Sequence, residues 1–270
     1  MFPAPTGVGN TSVAVNWFAE IIDPEPGYYE PTPSLFISAE MTQQDIFCRC
    51  VSIKTGLSNT MVRLARYPQG SPEWETMMVG YTKLRQAPGY IVVPTTFTIG
   101  EILGIIEYHR LKYGVRHVFI DYLQLIRSDG RNKKWEVLDE ASTKLQNRAM
   151  HGKDPICIIG IAQQNVKGAE DEYGSAETMG GAYKLSQDAA KLVILNKKKA
   201  KDIVNHEIKR GNILMNIHKV RMGPSNILVH TYYDNDADVG SLRAGEADVW
   251  EGEFHAPKLQ QIPQADGGLF

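Results

Sequence analysis

Two carboxylates and one amide stand close to the ends of apolar runs in the chain. Asp121 directly follows one such run, Glu40 comes shortly after another, and Gln163 ends a third. An unbroken apolar run is typical of a strand buried on both faces of a parallel sheet, and ligands bind at the C-terminal edge of such sheets. An acid there can meet a metal-bound phosphate, and an amide can sense a phosphate or orient a water without competing for its proton. The residue types therefore predict phosphate chemistry at one sheet edge.

Both carboxylates also have simpler interpretations. Asp121 could be a capping or solvent-facing residue after a core strand. Glu40 precedes a predicted helix that Ser38 or Thr42 can cap, so it could be a first-turn acid favoured by the helix dipole. Taken one at a time, these residues leave the alternatives open.

A glycine-rich turn opens the first helix and could hold phosphates. Its glycines allow close backbone approach, and the helix start supplies N–H donors together with a favourable dipole. Two positions depart from the phosphate-loop pattern G-x-x-x-x-G-K-[ST], because Ala4 replaces the first glycine and Asn10 replaces the lysine. An ordinary glycine-rich helix start is the alternative. The candidate phosphate-binding residues are Gly7, Gly9, Asn10, Thr11 and Ser12, and Thr11 is also a candidate Mg²⁺ ligand.

Apolar strands alternate with amphipathic helices along the rest of the chain, which predicts an α/β fold with a mostly parallel central sheet flanked by helices and a C-terminal β-hairpin region. We expect one domain over residues 1–233 and a tail over 234–270 that adds little to the core. Further helices are predicted near residues 43–55, 58–66, 72–86, 99–113 and 135–150, and strands near 35–37, 90–93, 155–162, 192–195, 211–219 and 226–233.

Composition argues against several classes of protein. The chain has 270 residues, 43% of them hydrophobic, and a formal charge of -2, so overall charge calls for neither nucleic acid nor membrane. No apolar run approaches the roughly 20 residues that span a bilayer, and the start lacks a secretory pattern. Three cysteines without a CxxC pair fit reduced thiols. We expect a cytoplasmic protein with no membrane partner.

The polar loop over residues 127–134 carries basic residues that could contact a nucleic-acid backbone, and they are Arg127, Arg131, Lys133 and Lys134. A solvated loop is the simplest interpretation, and contact with phosphates is the alternative. A second stretch over 167–182, which includes Lys167, is glycine-rich, mixed in charge and without an apolar period. This composition predicts a mobile surface loop, and long loops in compact domains are often functional.

Five short segments carry polar residues in a fixed order along the chain. They are FISAEM at 36–41, IDYLQLI at 120–126, IAQQN at 161–165, SQDA at 186–189 and K-x-R-x-G at 219–223. These segments resemble the FSLEM, IDYLQLI, LSQLN, SQ[ED]A and K-x-R-x-G motifs of the RecA-like motor domain of DnaB-type replicative helicases, a family that includes Twinkle. The seven-residue IDYLQLI string, the Walker B segment of that family, is highly specific. The resemblance covers residues 4 to about 233.

The resemblance implies a RecA-like P-loop NTPase core with ATP and Mg²⁺ as cofactors. By resemblance, Asp121 and Thr11 hold Mg²⁺, Glu40 polarises the attacking water, and Gln163 senses the γ-phosphate. The implied activity is ATP hydrolysis coupled to 5′ to 3′ movement on single-stranded DNA and to duplex unwinding.

The resemblance also implies an assembly. Lys219 and Arg221 would reach into the ATP site of a neighbouring subunit, and an arginine acting in trans requires a ring, expected to be a hexamer. The loops over residues 127–134 and 167–182 would face DNA, and so would Gln187. A primase or a loader would be a further partner, and the setting would be the cytoplasm of a bacterial or phage-infected cell.

The chain departs from the family at the phosphate loop. Asn10 cannot supply the cation that lysine gives to phosphates, which should weaken their binding. The strand expected before the loop is almost absent, because only three residues precede Ala4, and its loss would leave a gap in the sheet. Either the chain is a fragment, another chain fills the gap, or catalysis has been lost. An active motor is therefore weighed against a catalytically impaired ring subunit or DNA-binding accessory protein.

Overall fold

The computed structural model describes residues 1–4, 9–128, 130, 133–151, 154–163, 183–198, 212–225, 227–234 and 239–249. In these ranges the strands are β1 (Phe2–Ala4), β2 (Ser34–Ser38), β3 (Gly89–Val92), β4 (His117–Asp121), β5 (Cys157–Gln163), β6 (Lys191–Lys197), β7 (Ile213–Val220), β8 (Ile227–Asp234) and β9 (Ser241–Val249). The helices are α1 (Asn10–Ile22), α2 (Gln43–Thr55), α3 (Asn59–Arg63), α4 (Pro72–Gln86), α5 (Ile99–Tyr113), α6 (Lys134–His151) and α7 (Tyr183–Asp188), with a short 3-10 helix at Leu123–Leu125.

Three of the predicted helices have the bounds that the sequence indicated, because a side-chain cap marks where each begins. Thr42, Ser71 and Thr98 each accept a hydrogen bond from a backbone N–H in the first turn of α2, α4 and α5 respectively. Such a bond satisfies one of the N–H groups that a helix start leaves without a partner.

A five-stranded parallel sheet forms the centre, in the order β1-β5-β4-β2-β3. The three central residues of β2 and of β4 are apolar and buried because helices cover both faces of the sheet. On one face, under α1, the rings of Phe18, Phe36 and Phe119 pack with centroids 5.5 to 5.8 Å apart. On the other face, α5 and α6 pack over Ile37 and Ile120, which are fully buried. The predicted α/β class with a mostly parallel sheet is confirmed.

The strand before the glycine-rich turn is short, but it is present. β1 pairs in parallel with β5, from Phe2 opposite Ile161 to Ala4 opposite Gln163. On its other side the Met1 carbonyl accepts the Val193 N–H of β6 at 3.0 Å, and the Met1 amino group donates to the Lys191 carbonyl at 2.9 Å. The predicted gap in the sheet is therefore wrong, because three residues suffice when a strand on each side supplies hydrogen bonds.

A second sheet of antiparallel strands, β6-β7-β8-β9, continues from β1 through β6. The sequence predicted the β7 and β8 pair but expected residues after Asp234 to add little to the core. That expectation is wrong for residues 239–249, because β9 pairs along β8 and Val239 is buried. Asn16 of α1 ties this segment down: its amide donates to the Gly240 carbonyl at 2.8 Å and accepts the Leu242 N–H at 2.9 Å.

No helix in the described ranges is both long enough and apolar enough to cross a bilayer. Among the same residues, no group of three or more His, Cys, Asp or Glu side chains is arranged to hold a metal ion.

Candidate functional site

The C-terminal ends of the parallel strands bring the predicted acids and the amide to one edge of the sheet. Ser38 at the end of β2 is paired with Asp121 at the end of β4, and the Ala39 N–H donates to the Asp121 carbonyl at 3.0 Å. Glu40 follows directly. Gln163 ends β5 and is paired with the last residue of β1, which leads toward α1. The structure thus places these three side chains along a single rim, next to the start of α1.

Asp121 is fully buried, and its two carboxylate oxygens have different surroundings. Oδ2 accepts a hydrogen bond from the Thr11 hydroxyl at 2.9 Å. Oδ1 is buried without a hydrogen-bond partner in the part of the chain that the structure describes. The pKa of Asp121 is raised to about 6, first by burial; the Thr11 bond and the charge of Arg49 lower it, and the charge of Glu40 raises it. A nearby cation would stabilise the ionised form of a carboxylate that is buried in this way.

Asp121 and Thr11 fit a Mg²⁺ ion. Mg²⁺ binds oxygen ligands, and in phosphate sites it uses one or two protein oxygens together with phosphate oxygens. The unpaired Oδ1 of Asp121 supplies an acceptor that no described protein group satisfies, and the Thr11 hydroxyl lies beside it.

Helix α1 begins in a way that suits an anion. Gly9 precedes it with a φ of +103°, in the left-handed region that favours glycine. Among the described residues, no side chain caps this start, and the first turn holds no acid. The N–H groups and the positive end of the helix dipole are therefore available to a phosphate. Gly7, also predicted to bind phosphate, lies outside the described residues.

Asn10 and Ser12 make specific contacts at this helix start. The Asn10 amide donates to the Ala162 carbonyl of β5 at 3.0 Å, so this donor points to the sheet. The Ser12 hydroxyl oxygen accepts hydrogen bonds from the Arg49 guanidinium at 3.2 Å and from the Tyr233 hydroxyl at 2.8 Å. The first turn of α1 is thus tied to α2 and β8 through Ser12.

Glu40 and Gln163 are held differently. Glu40 is exposed, and the Ser38 hydroxyl oxygen accepts the N–H groups of Glu40 at 3.3 Å and of Met41 at 3.0 Å, which fixes the turn. Gln163 is held through its backbone: its N–H donates to the Gln124 side-chain oxygen at 3.1 Å, and its carbonyl accepts the Gln124 amide N–H at 2.9 Å. Gln124 therefore fixes the end of β5 beside Asp121.

Lys219 and Arg221 lie at the opposite edge of the sheet. Val220, between them, is paired with Lys191 at the start of β6, and Met1 at the start of β1 is bonded to that same residue. The Lys219 ammonium donates to the carbonyls of residues 186 and 187 at 2.9 and 2.7 Å, and the Arg221 guanidinium donates to that of residue 188 at 3.0 Å. Within one chain the structure does not bring these two residues to Asp121.

The predicted DNA-facing residues fall partly within the described ranges. Arg127 is exposed, and its backbone N–H donates to the Phe97 carbonyl at 3.0 Å. Lys133 and Lys134 are exposed at the start of α6, and Gln187 is exposed on α7. Arg131 and Lys167 lie outside the described residues. The role of this set in DNA binding stays a prediction.

Sequence reasoning missed three residues of this region. Gln124 stands inside the IDYLQLI string, so that string offered a signal, but its partner is a backbone 39 positions away. Arg49 and Tyr233 carry no local signal, because only the packing of α2 and β8 against α1 brings them to Ser12. A cleft of about 90 Å³ beside them is lined by Ser12, Val15, Arg49, Ile53, Asn59, Tyr233, Val239 and Gly240.

Known proteins share both the sequence pattern and the fold. The replicative DNA helicase DnaB of Leifsonia xyli is 23% identical over 214 residues, which cover 78% of this chain and 46% of that protein. DnaB of Mycoplasma pneumoniae is 23% identical over 251 residues, 90% of this chain and 52% of that protein. The chain thus spans about half the length of these relatives.

Solved structures agree on the fold. The structure of a DnaB-like replicative helicase, described with its interactions with primase, has a TM-score of 0.74 at 19% identity and covers 89% of this chain and 56% of that one. A second solved structure, an ATPase domain, has a TM-score of 0.75 at 18% identity, and the match covers 91% of this chain and 84% of that one. The family model for the DnaB-like helicase C terminal domain matches residues 1–238. The chain therefore belongs to the DnaB-like helicase C terminal domain family.

Proposed function

We propose that this chain is the ATPase motor domain of a replicative DNA helicase, which couples ATP hydrolysis to movement along single-stranded DNA. One observation carries the proposal: Glu40, Asp121 and Gln163 lie along a single sheet edge beside the start of α1. If a nucleotide bound its phosphates at that helix start, all three side chains would lie near one end of the phosphate chain. Membership of a family of replicative helicases supplies the biological context.

Each residue has a chemical task in this proposal. Asp121 and Thr11 would hold Mg²⁺, which when bound neutralises charge on the phosphates. Glu40 is exposed next to Asp121, so its carboxylate could orient a water and accept the proton that the water loses. Gln163 would donate a hydrogen bond to the terminal phosphate, and its fixed backbone keeps the amide in place. The backbone N–H groups from Gly9 onward would bind the phosphate chain.

The proposal extends to an assembly. Lys219 and Arg221 lie at the far edge of the sheet, so in a head-to-tail ring they would face the ATP site of the next subunit. By analogy with the family, we also propose a hexamer that moves 5′ to 3′ in the cytoplasm and has a primase or a loader as partner. One structural relative is described with its interactions with primase. The DNA-facing residues would be Arg127, Arg131, Lys133, Lys134, Lys167 and Gln187.

A second function is favoured by one specific observation. Asn10 carries no charge, and its amide donates to the Ala162 carbonyl. A ring subunit or DNA-binding accessory protein that binds nucleotide weakly and does not hydrolyse it would retain the same fold.

The two functions are separated by the rate of ATP hydrolysis with and without single-stranded DNA. The native chain is compared with Asn10→Lys, and each is also tested with Glu40→Ala. Turnover in the native chain that Glu40→Ala abolishes supports the motor. Turnover that appears only with Asn10→Lys supports the impaired subunit, and no turnover in either chain contradicts ATPase activity at this edge.

A further inference from the structure

Arg49 is a partly buried cation without an acidic partner. Its guanidinium donates to the Ser12 hydroxyl oxygen at 3.2 Å, and among the described residues no carboxylate lies within ion-pair distance of it. Neighbouring cations differ in this respect. Lys54 on the same helix pairs with a carboxylate of α1 at 2.9 Å, and Arg63 pairs with Asp45 at 3.6 Å. Arg49 is therefore a cation that forms no ion pair with any described residue.

The position of this charge makes an anion its natural partner. Ser12 is in the first turn of α1, whose start has no side-chain cap and no acid among the described residues. A guanidinium next to the positive end of a helix dipole is unfavourable by itself and becomes favourable when an anion lies between them. Asp121 feels the same charge, since Arg49 lowers the pKa of that carboxyl against the effect of burial. Arg49 is thus electrostatically coupled to the proposed Mg²⁺ ligand.

We propose that Arg49 binds the phosphates of the nucleotide and supplies the positive charge that Asn10 cannot. The inference rests on the proposed nucleotide site and adds a residue to it. A guanidinium is always ionised and can present two parallel N–H donors to a phosphate. The phosphate loop of this chain therefore takes its cation from α2 instead of from the loop itself.

Ser12 also indicates which part of the nucleotide Arg49 contacts. Thr11 faces Asp121 at the reacting end, and the next helix position is rotated by about 100°. The cleft at Ser12 is also lined by Arg49, Tyr233 and Gly240, and Asp121 is not one of its lining residues. Arg49 therefore contacts the phosphates on the nucleoside side, where nothing changes charge during hydrolysis. Its loss should weaken binding and leave the chemical step nearly unchanged.

A purely structural role for Arg49, as a tie between α1 and α2, makes the opposite prediction for the ligand-free protein. Removing a structural tie lowers the melting temperature without ligand. Removing an unbalanced, partly buried charge leaves that temperature unchanged or raises it. The two roles are therefore distinguishable before any activity is measured.

The experiment measures Mg·ADP affinity by calorimetry, together with thermal unfolding in the presence and absence of Mg·ADP. The variants are Arg49→Gln, Arg49→Lys and the matched control Arg63→Gln, which removes an arginine that has an acidic partner. We expect Arg49→Gln to weaken binding by about tenfold or more, since hydrogen bonds to charged groups are lost. Arg49→Lys should lose less and Arg63→Gln less than about twofold. In an Asn10→Lys background the effect of Arg49→Gln should shrink, because the lysine then supplies part of the positive charge that the phosphate chain needs.

Two results would overturn the role of Arg49 while leaving the nucleotide site intact. One is unchanged Mg·ADP affinity in folded Arg49→Gln. The other is a melting temperature of ligand-free Arg49→Gln so far below that of the native chain that the loss of folded protein explains the whole loss of binding. If neither the native chain nor Asn10→Lys binds Mg·ADP, the proposed nucleotide site itself fails, and the inference falls with it.

Discussion

Replacing Gln124 by leucine should destabilise the chain and misplace Gln163. The Gln124 side chain is 9% exposed and makes two hydrogen bonds with the Gln163 backbone, at 2.9 and 3.1 Å. Leucine has a similar volume but leaves one N–H and one carbonyl without these partners. Each unsatisfied group costs about 1 to 3 kcal/mol, and the backbone at the end of β5 is partly reached by water, so we expect a loss of about 2 to 3 kcal/mol.

Urea unfolding measures this loss, with Gln146→Leu as the matched control. Gln146 makes one comparable hydrogen bond, to the Asp188 carbonyl at 3.0 Å, so its replacement should cost about 1 kcal/mol. Hydrogen exchange gives a local measure, because the Gln163 N–H should lose protection only in the Gln124 variant. Equal losses in the two variants, with the Gln163 N–H still protected, would refute the positioning role.

The same reasoning applies to catalysis in any chain that hydrolyses ATP. If Gln124 acts through Gln163, then Gln124→Leu should lower kcat in the native chain and have no further effect in a Gln163→Ala background. Additive effects of the two substitutions on kcat would show that Gln124 acts independently of Gln163.

Two further predictions concern the frame around the site. The pKa of Glu101 is lowered from 4.5 to about 2, first by the Thr96 hydroxyl and then by backbone N–H groups, all of which donate hydrogen bonds to it. The stability that ionised Glu101 contributes is therefore present above pH 4.5 and is lost as pH falls through about 2. Glu101→Gln should therefore be less stable than the native chain at pH 7, with the difference disappearing near pH 2 in acid unfolding curves; a constant difference would contradict this. Asn16→Ala removes two hydrogen bonds to residues 240–242 and should cost about 2 kcal/mol in urea unfolding, with faster protease cleavage after residue 238. Unchanged cleavage would show that β9 is held without Asn16.

Sequence alone predicted the central sheet and its edge because both depend on local signals. An apolar run identifies a doubly covered strand, and the polar residue after it must lie at the C-terminal edge. Thr42 was predicted as a possible cap of α2, and the structure shows that Ser71 and Thr98 cap α4 and α5 in the same way. Glu40 and Asp121 were therefore predicted on one edge, although their chemical roles came from resemblance and are still proposals.

The rest depended on packing that no local pattern encodes. β1 is stable because β5 and β6 both bond to it, which a count of the residues before the glycine-rich turn could not show. β9 follows a polar stretch, and Asn16 on a distant helix fixes the residues that lead into it. Arg49 reaches Ser12 only because α2 packs beside α1.

Mg²⁺-dependent nucleotide binding tests the central claim most directly, because the claim is that phosphates and Mg²⁺ meet between the start of α1 and Asp121. ADP affinity of the native chain should rise when Mg²⁺ is added, and Asp121→Asn should remove that rise while ADP binding without Mg²⁺ persists. An equal gain from Mg²⁺ in the native chain and in folded Asp121→Asn would contradict the account.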